Sequence, residues 1–482
     1  MRPLLHPLGL GALFPTSWWN PGLFWIWEWR RTSFFHQTHD VISMVPLLVG
    51  APCYYTSSPD VMKQLLNNEL KTYSMKPNWL TSTLLLWGDN LFSANGDMWK
   101  RHRRILAPAF TAKTYTLVAS ETAAACEEMI IAEGWDAMDS MVIEDFNRLP
   151  LKLGLMIIAR CGFGLRLPWK SEPNGEHGLD LEYALRYVAR TRYARVRLPP
   201  WIYKLRLQRV DAFDRVWKTL DSFMHEFLRA RQTELVATPG EDGQSGDIFS
   251  RLVAAMDSEG RLGLDEQEMI GNAFMLMFGG HETTAAALAT TMGFLAIHQQ
   301  EQETAYSEIV NTIPPTRDPA PNDFSKMPHL LACFHESLRI FPAAMLITRE
   351  MTEDVPIKVR SPAEEIMVLK KGSLMIIEMI AVHRNPRFFP DPEKYRPSRW
   401  YGVADPDLSM FGVGPRACIG KRFGQTMAIS FLTFLLRDWK VDVTLLPGES
   451  RAEYEQRVMG KARRVGFAFG CESLSLKFTR RK

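Results

Sequence analysis

Cysteine is scarce in this 482-residue chain, and what there is forms no pattern. The six, at positions 53, 126, 161, 333, 418 and 471, include no CxxC pair and no metal-ligand spacing. That excludes a disulfide-built secreted scaffold and fits reduced thiols in a cytosol-facing protein. Charge of one sign is lacking too. The formal net charge of +3 is too small to argue for a nucleic-acid interface, and no nucleic-acid motif accompanies it. No glycine-rich nucleotide fingerprint, internal repeat or low-complexity tract stands out. A clean hydrophobic run is also missing at the N-terminus. Residues 3–27 hold no Asp, Glu, Lys or Arg and are long enough to cross a bilayer. Yet Pro7, Pro15 and Pro21, with Gly9, Gly11 and Gly22, interrupt them, and each proline costs ~3 kcal/mol in a helix interior. Residues 1–35 therefore read as a hinge or membrane-proximal segment lacking an anchor helix. Trp18, Trp19, Trp25, Trp27 and Trp29, followed by Arg30 and Arg31, suit either a segment lying at a membrane interface or an aromatic turn packed on the body.

What is present is an ordinary globular composition with ample apolar content for a large core, arranged at helical spacing. The pattern predicts helices over residues 59–68, 98–110, 114–132, 149–161, 211–235, 265–298, 302–313 and 329–341. Strands are expected at 47–56, 365–378 and 468–478. Segments 169–178, 238–246 and 314–326 are rich in Pro, Gly, Asp and Glu and read as surface loops. The fold class is mainly α with small β-sheets.

The most informative stretch is residues 411–420, FGVGPRACIG. Gly412, Gly414 and Gly420 permit positive φ and let backbone pass close to a flat ligand. Residues 419–436 follow at helical spacing, so Cys418 sits at or just before a helix N-terminus, where the dipole favours a thiolate. Such a thiolate is a ligand for haem iron, one that favours O–O cleavage. A second stretch, GGHETT at residues 279–284, places two glycines inside an apolar helix at a cost of ~1 kcal/mol each. Thr283 lies four residues after Gly279, so its hydroxyl can bond that carbonyl and bend the helix, with Glu282 beside the groove.

Phe411, Gly414, Arg416, Cys418 and Gly420 match F-x-x-G-x-R-x-C-x-G, which resembles the haem-binding signature of the cytochrome P450 family. The resemblance runs from about Trp18 to Lys477, and it replaces a length-based expectation of about three domains with one haem domain over residues 36–482. It implies haem b between the long oxygen-side helix and the cysteine-loop helix. Cys418 is then the axial iron ligand, Arg416 a propionate partner, and Phe411 a shield on the sulfur side. GGHETT matches the family's oxygen-side helix, implying proton delivery by Glu282 and Thr283. Trp99 and Arg103 in WKRHRR match its W-x-x-x-R helix, which reaches a propionate. Arg349 is a further propionate candidate. Lys100, Arg101 and Arg104 read as a solvated basic face.

Glu336 and Arg339 form an ExxR pair that, with Arg399 from Pro397–Trp400, matches the family's structural triad. The same spacing at Glu28/Arg31, Glu226/Arg229 and Glu393/Arg396 reads as solvated surface pairs. His383 reads as a structural histidine. One departure is Met427, where the family often has glutamate.

The resemblance implies a monooxygenase acting on a hydrophobic substrate, a terpenoid or other secondary metabolite, at the cytosolic face of the endoplasmic reticulum membrane. Electrons would come from NADPH through a separate NADPH-cytochrome P450 reductase, with cytochrome b5 an optional second donor and no nucleic acid as partner. Substrate contacts are expected from residues 80–92, 198–207, 274–284, 343–347 and 466–470. A peroxide-driven or isomerising enzyme, and a haem-binding homologue without catalysis, are the alternatives.

Overall fold

The computed structural model describes residues 3–6, 8–30, 38–67, 73–82, 84–170, 181–205, 207–237, 247–259, 263–314, 316–404, 409–465 and 468–481. It is mainly helical with small sheets. The chain forms two compact units. One holds residues up to 77 and 332–418, the other residues 78–331 and 419–482.

The first unit is organised by a five-stranded mixed sheet whose order is Val41–Met44, Cys53–Thr56, Leu374–Glu378, Leu346–Met351 and Ser74–Met75. Cys53–Thr56 runs parallel to Leu374–Glu378, and the other pairs are antiparallel. Helix Pro59–Asn67 buries Val61, Met62, Leu65 and Leu66, which join Met351, Met375 and Ile377 in one apolar cluster. The hairpin Val355–Val359/Glu365–Leu369 closes that cluster through Ile357 and Leu369.

In the N-terminal segment the tryptophans differ in burial. Trp25 and Trp27 are 1% exposed and packed on the body. Trp25 meets Tyr55 edge-on at 5.6 Å, and Trp27 lies 4.6 Å from Phe341 with the Arg30 and Arg384 guanidiniums on its ring. Trp18, by contrast, is 93% exposed. Leu10, Leu13 and Phe14 are exposed beside it in sequence, as are Leu47, Leu48 and Val49 in the loop whose backbone pairs with residues 3–6.

The second unit is built around the helix Glu266–Ile297, hereafter the long helix. Its start is fixed by a capping box, in which Asp265 and Glu268 accept each other's backbone N–H. The helix is apolar on almost every side, as a helix buried all round must be. It packs against helices Arg148–Ile157 and Lys421–Asp438 and against strand Ala468–Cys471. A three-stranded antiparallel sheet, Ser140–Ile143, Leu476–Arg480 and Trp439–Val443, lies in the same unit. The buried Gln302 side chain bonds both the N–H and the carbonyl of Val441.

All eight expected helices form. Two expected strands are each divided between sheets. Residues 365–378 split at Gly372, whose φ of 77° turns the chain between Glu365–Leu369 and Leu374–Glu378. Residues 468–478 split likewise into Ala468–Cys471 and Leu476–Arg480. Only Cys53–Thr56 of residues 47–56 is a strand. Residues 314–326 include a 3-10 helix, Pro321–Lys326, while most of 169–178 and all of 238–246 lie outside the described residues. Among the described residues, no helix is long and apolar enough to cross a membrane.

Candidate active site

The cysteine loop belongs to the first unit. After the 3-10 turn Ser409–Phe411 the chain reverses on Gly412 and Gly414, with φ of 77° and 74°. Gly420 has an ordinary φ of −86°, so the expectation of positive φ fails there. The close approach at Gly414 is also to protein. A Cβ there would lie 2.4 Å from the Leu66 carbonyl oxygen, so the residue must be glycine for the loop to seat on helix Pro59–Asn67. The Cys418 N–H donates to the Phe411 carbonyl at 2.9 Å, closing the loop around the thiol. Cys418 is exposed, while the other five cysteines are buried. Burial pushes the Cys53 and Cys471 thiols up to about 12 and about 11 and raises Cys126 and Cys161 further, which keeps them inert thiols at neutral pH. Helix Lys421–Asp438 begins three residues after Cys418, as expected.

Behind the loop, Glu336 collects donors from its own helix and from the segment 396–400. Arg339 meets it twice, at 2.8 and 2.9 Å, and Arg399 once, at 3.2 Å. The Trp400 indole N–H and the Arg396 backbone N–H complete the set at 3.0 and 2.9 Å. The structure therefore brings Glu336, Arg339 and Arg399 together. Sequence reasoning missed Trp400 and Arg396 as partners, although Trp400 closes the same segment, Pro397–Trp400, that supplies Arg399. Arg339 also donates to the carbonyls of His383, Pro392 and Lys394, tying the meander after His383 to its helix. His383 is fully buried, bonds Ser409 at 3.0 Å, and is held down to about 3 by burial and by the Arg339 and Arg384 charges. The Glu393/Arg396 surface pair does not form. Glu393 instead pairs with the buried Arg384 at 2.9 Å, and Arg396 turns toward Asp391. Glu226 and Arg229 share no ion pair either, since Arg229 turns to Glu266, and Arg31 lies outside the described residues. Arg349 is buried on Leu346–Met351, donates to the Thr348 carbonyl and retains further interactions. Arg416 is half-buried beside Cys418 in sequence.

In the second unit, helix Gly96–Leu106 carries Trp99 buried and Arg103 half-buried, one turn apart. Its basic residues are not all solvated. Arg101 forms an ion pair with Glu268, correcting that expectation, whereas Lys100 pairs only with exposed Asp97. His102 was overlooked. Fully buried, it faces Asn272 at 3.0 Å and Glu268 at 3.4 Å, and Asn272 also accepts from the Leu91 N–H. The signal was an apolar-flanked polar pair, Glu268 and Asn272, at i, i+4 on the long helix. Together these bonds tie Gly96–Leu106 and the 89–91 loop to the first turns of that helix.

Further along the long helix, Thr283 Oγ1 donates to the Gly279 carbonyl at 2.8 Å, as expected. Thr284 does the same to Gly280 at 3.3 Å, and His281 Nδ1 meets the Met277 carbonyl at 2.8 Å. Glu282 is buried and Thr283 half-buried. Met275, Gly279 and Ala286 share Thr283's half-exposed face, while the rest of this stretch is largely buried.

The cytochrome P450 sequence profile matches residues 19–459. The chain belongs to the cytochrome P450 family. It is 31% identical, over 90% of its own length and 84% of the other's, to cytochrome P450 monooxygenase 124 of Postia placenta. Cytochrome P450 monooxygenase prx9 of Penicillium rubens is 27% identical over 92% and 83%. The crystal structure of cytochrome P450DA heme domain superposes with a TM-score of 0.71 at 20% identity, covering 92% and 90% of the two chains, a likeness of fold. This P450 is thus a member of a monooxygenase family whose cofactor is haem.

Its residues fit that cofactor. The single exposed thiol, in a loop closed by its own backbone, is chemically suited to ligating a haem iron.

Proposed function

We propose that this P450 is a haem-thiolate monooxygenase that inserts one oxygen atom from dioxygen into a hydrophobic terpenoid or related secondary metabolite. The reading is carried by Cys418, the one exposed thiol of six, held in a loop of the family's signature. Bound haem b supplies the iron centre at which dioxygen is reduced and split. Cys418 would ligate the iron through its sulfur, and Phe411 would shield that sulfur from water. Gly414 and Gly420 would shape the loop around it. Arg416, Arg349, Trp99 and Arg103 would hold the propionates.

Thr283 and Glu282 move protons. The Thr283 O–H is committed to the Gly279 carbonyl, which leaves its lone pairs to accept from a donor, and Glu282 supplies the acid. The neighbouring His281 is buried and does not compete as a charged donor, because burial holds it down to about 4. Glu336, Arg339 and Arg399 fold the haem-binding core without touching the chemistry. The P450 takes its electrons from NADPH through a separate NADPH-cytochrome P450 reductase, with cytochrome b5 an optional second donor. Fungal relatives support a role in fungal metabolism, and the exposed Leu13, Phe14, Trp18, Leu47 and Leu48 support residence on the endoplasmic reticulum membrane.

The test is the visible spectrum of the dithionite-reduced protein with and without carbon monoxide. A strongly red-shifted Soret band that disappears in Cys418→Ala is the expected result. A band at the position of histidine-ligated haem in the wild type rejects the axial assignment. Product formation with peroxide but without reductase would move the reading to a peroxide-driven enzyme.

A further inference from the structure

The glycines of GGHETT have different neighbours, and the difference points to a device around the long helix. A Cβ at Gly279 would meet only the flexible Met275 Cε, at 3.0 Å, on the half-exposed face. A Cβ at Gly280 would instead lie 2.8 Å from Ile158 Cδ1. Ile158 opens the π-helical turn Ile158–Gly162 that follows helix Arg148–Ile157. One turn earlier on that helix, a Cβ at Gly154 would stand 3.1 Å from the His281 carbonyl oxygen. Two further elements close in on the next turn. A Cβ at Gly424, on helix Lys421–Asp438, would reach Thr284 Oγ1 at 3.3 Å, and one at Gly470, on strand Ala468–Cys471, would reach Ala286 Cβ at 3.2 Å.

At about 100° per residue, positions 280, 284 and 281 fan across one side of the helix and position 286 points to roughly the opposite side. The turn carrying Glu282 and Thr283 is therefore held from two opposed sides by three elements that approach it closely. It is also the turn where His281, Thr283 and Thr284 side chains engage the carbonyls of Met277, Gly279 and Gly280. Side chains competing for carbonyls loosen and bend a helix, so its course there must be set from outside.

We propose that Gly154, Ile158, Gly424 and Gly470, on three elements, form a two-sided clamp that positions the Glu282–Thr283 turn for proton transfer. These are positioning residues, and the inference rests on the assignment of Glu282 and Thr283 proposed above. Close packing transmits displacement, so loosening the clamp shifts the hydroxyl by a fraction of an ångström. That redirects electrons without removing the haem.

The experiment uses the full-length haem-loaded protein carrying Ile158→Val, which removes the methyl facing Gly280, and Gly154→Ala, which pushes on the His281 carbonyl. Thr283→Ala is the positive control, and Ile309→Val, at a fully buried site on another helix, controls for general loosening. Two quantities are read: amide hydrogen exchange of the peptide spanning residues 277–286, and hydrogen peroxide released per NADPH oxidised in the presence of reductase. Ile158→Val should speed exchange locally and raise the peroxide yield by about two- to tenfold, the scale expected when catalytic groups move by less than 1 Å. Ile309→Val should do neither. Unchanged exchange in Ile158→Val overturns the clamp. Faster exchange with an unchanged peroxide yield, while Thr283→Ala raises it, reduces the contacts to packing and also overturns it. If Thr283→Ala itself leaves the yield unchanged, the proton-transfer assignment fails, and the positioning role with it. Should Gly154→Ala not fold, Ile158→Val decides alone.

Discussion

Glu336 is fully buried and accepts from Arg339, Arg399, Arg396 and Trp400. Replacing it with Gln strands two guanidiniums in a site shielded from water, at a cost of about 3–5 kcal/mol. Glu336→Gln should accordingly express poorly and retain little haem, measured as the ratio of Soret to protein absorbance. Normal haem content in that variant would refute its structural role. Thr283→Ala, which removes a hydroxyl and leaves the thiolate loop untouched, should keep haem bound while diverting electrons to peroxide. A variant that stays fully coupled would remove Thr283 from the proton path. Glu378 is a third case. Burial raises its carboxyl from 4.5 to about 8, so the folded state keeps a proton that the unfolded chain has released. Stability from this group is present in full below pH 4.5 and is lost as pH rises toward 8, by up to about 1.4 kcal/mol per pH unit. The buried His281 and His383 act oppositely. Their folded values, about 4 and about 3 against 6.5 unfolded, remove stability as pH falls below 6.5. Glu378→Gln should flatten the alkaline limb of melting temperature against pH between 6.5 and 8 and leave the acid limb in place. A wild-type alkaline limb unchanged by the substitution would show that this carboxyl does not hold its proton.

Elements were legible in the sequence to the extent that their periodicity was their own. The eight expected helices carry apolar faces long enough to be read locally, and the long helix was found because both its capping box and its apolar run lie within it. Among the described residues, two helices of ten residues or more were missed, besides four short ones. Leu181–Arg197 is threaded with arginines, and Ile248–Glu259 follows the Gly-rich sequence of residues 238–246, which hides its start. Strands were merged where a turn had no proline and only one glycine to mark it, as at Gly372. Pairing partners far apart in the chain, such as Cys53–Thr56 with Leu374–Glu378, leave no local signature. The candidate site follows the same rule. Cys418, Thr283 and the Glu336–Arg339 spacing are contiguous motifs and were visible. The His102, Asn272 and Glu268 network joins residues more than a hundred and sixty positions apart, and Gly414's contact with the Leu66 carbonyl depends on an element elsewhere in the sequence.

For the whole molecule, the N-terminal segment decides behaviour in solution as much as in the cell. Leu13, Phe14, Trp18, Leu47 and Leu48 are exposed apolar side chains in one unit, and burying them in lipid is favourable at roughly 25 cal/mol per Å². The protein should co-sediment with vesicles of neutral phospholipid, and the combined Trp18→Ser and Leu48→Ser variant should bind at least tenfold less. Equal sedimentation of the two would mean that another surface makes the contact.

The same side chains carry a practical consequence. In water without lipid they remain exposed, so the purified protein should drift into polydisperse oligomers as its concentration rises, and crystals grown from it will select whichever detergent caps Trp18.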